Sequence, residues 1–92
     1  MTESSSVWWV YILRCADDSL YTGVTNDPDG RLTTHNAGKG ARYTRARLPV
    51  EMVWKERAAD RSAAQSREWA IKQLGRRDKL ALIKDSPASA GN

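Results

Sequence analysis

Residues 7–14, VWWVYILR, are apolar at nearly every position, and a second run, LYTGVT at 20–25, returns after the short polar stretch ADDS. A strand that is apolar on both alternating faces has to be covered on both sides. This one segment therefore demands a sheet with helices packed above and below it, and rules out a one-sided hairpin. At 92 residues the chain is one domain. A domain this small buries only about 60% of the surface its unfolded chain exposes, so its core must be economical. With four tryptophans and no phenylalanine, much of that core is expected at Trp8, Trp9, Trp54 and Trp69.

The turn sets which residues share a face. ADDS holds no Asn-Gly or Asp-Gly pair, which disfavours a two-residue primed turn and favours a three-residue loop. An odd loop places Tyr11 opposite Gly23 or Thr25, on the side of the sheet that Tyr21 faces. A two- or four-residue loop would separate the two phenols. Gly23, lacking a side chain, would leave space beside them for a ligand's backbone. Taken singly, each tyrosine is equally well a core residue with a wet hydroxyl.

The rest of the chain alternates in type. NDPDGRLTTHNAG has the punctuation of a helix, with Asn26 or Asp27 as N-cap, Pro28 in the first turn and Gly38 past the end. PVEMVWKER, 49–57, sets Val50, Met52 and Trp54 against polar neighbours, as a half-buried strand does. Asp60 caps a helix to about Leu74, with Ser62 and Gln65 as a capping box and Gly75 as its stop. RRDKLALIK is one more short helix. The expected fold is α/β (α+β): a three-stranded antiparallel sheet flanked by helices, in the order β-β-α-β-α-α. Residues 1–6 are expected to be a disordered N-terminus, 7–83 the domain, and 84–92 a disordered C-terminal tail.

Several classes of protein are excluded. No apolar run approaches the roughly 20 residues that cross a bilayer, and MTESSSV has neither the basic nor the apolar region of a signal peptide. A cytoplasmic location without membrane contact is expected. One cysteine, Cys15, and one histidine, His35, leave no internal disulfide and no structural zinc site.

The net charge of +4 is ordinary, but its distribution is informative. From Arg31 to Arg47 there are five basic residues and no acidic one. Lys39, Arg42, Arg45 and Arg47 are interleaved with Tyr43, glycines and small residues, a composition suited to a flexible loop laid along phosphates with an aromatic ring for base stacking. A solvated surface loop is the plain alternative. Arg31 and His35, four residues apart, project from one helix face. On the 60–74 helix, Ala63, Ala64, Ala70, Ile71 and Leu74 share an arc, and Glu68 falls at its edge. A carboxylate there needs a cation, donors or a metal, and Arg67 or Lys72 would serve.

WVY at 9–11, YTG at 21–23, Arg31, His35 and the late Glu68 together resemble a GIY-YIG nuclease domain. The likeness spans roughly 7–83 and is closest to small stand-alone bacterial members, which carry a run similar to HNAGKGARYTR. It implies a metal-dependent DNA endonuclease, with a role in repair or recombination within its reach. Tyr11 and Tyr21 would be the motif tyrosines, Arg31 the catalytic arginine, His35 an auxiliary histidine and Glu68 the ligand of one Mg²⁺ or Mn²⁺. Trp9 stands where the first motif has glycine, and Thr22 replaces the central residue of the second. The late asparagine that many members use has no counterpart before Asn92. A phenol of pKa about 10 is one-thousandth ionised at pH 7, and three units correspond to roughly 4 kcal/mol. The sequence leaves open which tyrosine is the base. With no added DNA-binding domain, strong specificity would call for a partner protein or a homodimer. The competing reading is a non-catalytic nucleic-acid-binding module that keeps the fold.

Overall fold

The computed structural model describes residues 7–85. Strands β1 (Trp8–Arg14), β2 (Leu20–Thr25) and β3 (Glu51–Ala58) form an antiparallel sheet in the order β2-β1-β3. The helices are α1 (Pro28–Asn36), α2 (Arg42–Arg45), α3 (Arg61–Lys72) and α4 (Arg76–Asp85). The expected order holds, with the short α2 inserted in the stretch assigned to a flexible loop. α4 takes in Lys84, the last residue of the expected RRDKLALIK helix, and Asp85, assigned from sequence to the tail; residues 1–6 and 86–92 lie outside the described part.

The central strand β1 is buried on both sides, as its composition demands. Val10 and Ile12 pack with Trp54, Ala64 and Ile71 under α3. Tyr11 and Leu13 pack on the other face with Cys15, Val50 and Leu32 of α1. β3 departs from simple alternation. Its register shifts between Ile12 and Leu13, which pair with Trp54 and Met52, so Val53 is the extra residue of a bulge. The bulge sends Val50 and Met52 to the α1 side and Trp54 to the α3 side. Of the four tryptophans, only Trp54 is buried; Trp8 and Trp9 are half-covered and Trp69 is 67% exposed. The helical arc was misplaced by part of a turn. α3 buries Ala64 and Ile71, whereas Ala63 and Ala70 face water, and Glu68 lies between the two buried positions on the inward face.

The hairpin closes as a three-residue loop. Cys15 N–H donates to Ser19 O at 2.9 Å, Asp18 N–H to Cys15 O at 2.8 Å, and Asp18 takes the left-handed conformation at φ 71°. Tyr11 consequently pairs with Gly23, putting both phenols on one side. The acidic tip also ties down two distant segments. Arg47 Nε donates to Asp17 at 3.0 Å, and Arg76, at the start of α4, donates to the carbonyl and carboxylate of Asp18 at 2.9 and 3.1 Å.

Caps explain the helix starts. Asp27 caps α1, accepting from Gly30 N–H, and Asp60 caps α3, accepting from Ala63 N–H. With Asp60 in that role, Ser62 falls inside the helix and the expected capping box with Gln65 does not form. Asn36, at the end of α1, holds the approach to β3 with a two-way amide clamp: it donates to Val50 O at 2.9 Å and accepts from Val50 N–H at 2.8 Å.

Candidate active site

The two phenols, brought together by the register, meet His35 from α1. Ring centroids lie 6.4 Å apart for Tyr11 and Tyr21, 6.1 Å for Tyr11 and His35, and 5.5 Å for Tyr21 and His35. His35 is fully buried, and both of its nitrogens are bonded. Nδ1 is 2.8 Å from Thr44 Oγ1, and Nε2 is 3.1 Å from the Tyr11 hydroxyl. The single hydroxyl proton of Thr44 is given to Ala41 O at 2.9 Å. Thr44 must therefore accept from Nδ1–H, which leaves Nε2 as a lone pair accepting the Tyr11 proton. The chain Tyr11 → His35 → Thr44 → Ala41 runs in one direction.

Charge and burial support this assignment. Burial lowers the pKa of His35, and the charge of Arg31 adds to the effect, so the ring is neutral. Burial raises the Tyr11 phenol above its ordinary value near 10; Arg31 opposes the shift, while Tyr21 and Glu68 reinforce it. The charges of Arg31 on α1 and Glu68 on α3 thus both act on the same phenol, although the two helices approach different parts of the sheet.

Accessibility separates the tyrosines. Tyr11 is 1% exposed, whereas Tyr21 is partly open and lines a cleft of about 240 Å³ with Leu20, Thr22, Tyr43, Lys72 and Lys79. Gly23 does not leave room for a ligand: a Cβ there would sit 2.5 Å from the Tyr11 hydroxyl, so the space belongs to Tyr11 itself. Gly40 plays the same part for His35, because a Cβ there would collide with the imidazole at Nδ1. Gly40→Ala should displace the imidazole and break its bond to Thr44. A loss of about 1–3 kcal/mol, the usual range for overpacking, is expected as a lower urea midpoint, together with a moved His35 ring resonance.

The basic segment is built around His35 and is not a loose loop. Thr44 is buried beneath it, while Lys39, Arg42 and Arg45 point into solvent. Tyr43 is 38% exposed, stacks on Tyr21 with centroids 6.1 Å apart, and carries the Arg47 guanidinium 3.9 Å above its ring. Arg47 also bonds Asp17 and the carbonyl of Tyr43. The ring face beneath Arg47 is accordingly closed to a stacked base.

Glu68 is the carboxylate available to a metal. Its side chain is 22% exposed and pairs with Lys72 Nζ at 3.2 Å. Among the described residues no three His, Cys, Asp or Glu side chains cluster. A lone, partly exposed carboxylate suits a hard cation that keeps most of its waters, the habit of Mg²⁺, and does not suit zinc. Of the two cations expected for Glu68, Lys72 is the one that pairs with it, while Arg67 pairs with Glu56; Thr44, Gly40 and Lys79 line this region without having been singled out in the sequence. No helix among the described residues is long and apolar enough to cross a membrane.

A hairpin carrying two phenols on one face, a buried histidine behind them and an inward glutamate on α3 agree with what a family comparison finds. Residues 7–81 match the GIY-YIG catalytic domain, and the chain belongs to that family, a family of nucleases. It is 54% identical over 80 residues to a UPF0213 protein of Desulfotalea psychrophila, covering 86% of this chain and 73% of that one. A UPF0213 protein of Staphylococcus haemolyticus is 48% identical over 77 residues, with 84% and 94% covered. Among solved structures, a UPF0213 protein of Bacillus halodurans is 42% identical with a TM-score of 0.55, over 85% of this chain and 83% of that one. A protein of E. faecalis is likewise 42% identical, with a TM-score of 0.59 over 86% and 84%.

Proposed function

We propose that this protein is a divalent-metal-dependent endonuclease that hydrolyses phosphodiester bonds in DNA. The observation that carries the reading is the ordered chain from Tyr11 through His35 to Thr44, with Tyr21 beside it opening onto a cationic cleft.

The roles follow from reach. Tyr21 is the phenol that touches the cleft, so it is the one that, having first released its own proton to solvent, takes the proton from the attacking water as the phenolate. Tyr11, buried and donating to His35, fixes the floor on which Tyr21 rests and holds His35 neutral through Nε2. Arg31 braces the phosphate oxygens as negative charge builds on them. Glu68 would hold the divalent ion, which supplies positive charge to offset the charge developing on the phosphate and the departing 3′ oxygen. Lys72, already on Glu68, would have to yield part of that contact when an ion binds.

That same ion pair is the observation favouring the binding-module alternative, since Lys72 already neutralises Glu68. The deciding experiment is incubation of purified protein with labelled single-stranded, duplex, flap and junction DNAs in Mg²⁺, Mn²⁺ or EDTA. Metal-dependent cutting of any of them supports the nuclease. Binding without cutting, in every metal, supports the module.

Lys39, Arg42 and Arg45, exposed on the outer side of the basic segment, are proposed to contact phosphates. Removing all three should flatten the salt dependence of DNA affinity by about 2–3 units, at 0.7–0.9 per phosphate. Arg47, held by Asp17 and Tyr43, should contribute less to that slope than any of the three.

A further inference from the structure

We propose that Lys72 and Lys79 form a second phosphate subsite, taking the phosphate next to the one that is cut. The proposal rests on the nuclease reading above. The groups at issue lie outside the motif residues and outside the basic segment. α3 brings Lys72 and α4 brings Lys79 to the cleft that Tyr21 and Tyr43 also line. Every polar side chain lining it is able to donate a hydrogen bond: two ammonium groups and the hydroxyls of Tyr21, Thr22 and Tyr43. Among the described residues no carboxylate lines it. Such a set is complementary to an anion with several oxygens.

Two further observations point to a ligand there. Thr22 is 3% exposed, and its Oγ1 has no hydrogen-bond partner among the described residues, whereas buried hydroxyls are ordinarily paired. An acceptor oxygen entering the cleft, directly or through one water, would serve it. Tyr43 already has the Arg47 guanidinium on one ring face and stacks with Tyr21, which favours a phosphate at its hydroxyl over a base on its ring. Lys72 places the subsite. Its Nζ is 3.2 Å from Glu68 while its side chain lines the cleft, so the group it holds lies beside the catalytic carboxylate and not on it.

The test is a binding cycle in EDTA, where no strand is cut. Labelled 12-nucleotide DNA and its duplex, with the cleavage position mapped beforehand in metal, carry a neutral methylphosphonate at each phosphate flanking the cut in turn. In the unaltered protein, one adjacent substitution should weaken binding about fivefold, as one lost charge contact does. Lys79→Gln should weaken binding similarly, and the same methylphosphonate should then cost nothing more. Lys84→Gln, an equal charge change on the outer part of α4, should leave the methylphosphonate penalty intact. Additive penalties at every flanking phosphate, or Lys84→Gln reproducing Lys79→Gln, would overturn the subsite while cleavage in metal left the nuclease standing. A protein that neither binds nor cuts these DNAs would overturn the nuclease reading, and the subsite with it.

Discussion

Glu68→Gln should leave a folded protein that still binds DNA but cuts it at least about a thousandfold more slowly. The substitution keeps the shape of the side chain and removes its charge. Shape matters because Glu68 sits on the inward face of α3 between Ala64 and Ile71, where truncation would open a gap. Charge matters because Glu68 is the carboxylate proposed to hold the divalent ion, and an ion that stabilises a phosphodiester transition state contributes several kcal/mol. The partner ammonium of Lys72 is left without its ion pair, but that pair is partly solvated and worth under about 1 kcal/mol. Single-turnover cleavage, a thermal melt and DNA affinity in EDTA separate the three quantities. Cleavage at the original rate would show that the ion is held elsewhere and that Glu68 has been given the wrong role.

The two tyrosines should fail differently. Tyr21→Phe removes the hydroxyl that faces the cleft, and the cost should fall on kcat, by about 10²–10⁴, with stability little changed. Tyr11→Phe removes a hydroxyl that no substrate reaches. It leaves the buried Nε2 of His35 without a donor, so it should cost about 1–3 kcal/mol of stability and affect turnover less than Tyr21→Phe. The opposite ranking on kcat would move the proton-accepting role to Tyr11.

His35 adds a pH signature. Its folded pKa lies below the ordinary value near 6.5, so between the two values the unfolded chain binds more protons than the folded one. Stability is therefore complete above about pH 6.5 and declines as the pH falls through the folded pKa. Because the chain to Thr44 requires neutral His35, cleavage should decline over the same acid range. His35→Gln should flatten the acid limb of the stability curve measured in urea.

Much of this was legible in the sequence because it depends on local chemistry. The apolar run at 7–14 required cover on both faces, ADDS selected an odd loop, and pairing of Tyr11 with Gly23 followed. Asp27 and Asp60 announced two helix starts. What was missed depends on contacts between distant segments. The bulge at Val53 has no mark in PVEMVWKER, and it alone sends Trp54 and Met52 to opposite faces. HNAGKGARYTR has the composition of a loop, but burying His35 draws Gly40 and Thr44 inward and folds the segment into α2. The threonine nine residues after the histidine was a donor–acceptor that composition could not orient. Lys72 and Lys79 come from different helices, and only their packing puts them in one cleft.

The acidic tip of the hairpin now takes on a mechanical meaning. Asp17 reaches the Tyr43 side of the cleft through Arg47, and Asp18 reaches the Lys79 side through Arg76. Both ties are exposed ion pairs, each worth at most about 1 kcal/mol and weakened by salt. The segments carrying Tyr43 and Lys79 are thus laced to one shared anchor by two exposed ion pairs, together worth at most about 2 kcal/mol. Ionic strength should therefore act twice on this protein, screening a DNA strand from the lysines and slackening the lacing. Replacing Asp17 and Asp18 with asparagine should remove the second effect and leave the first.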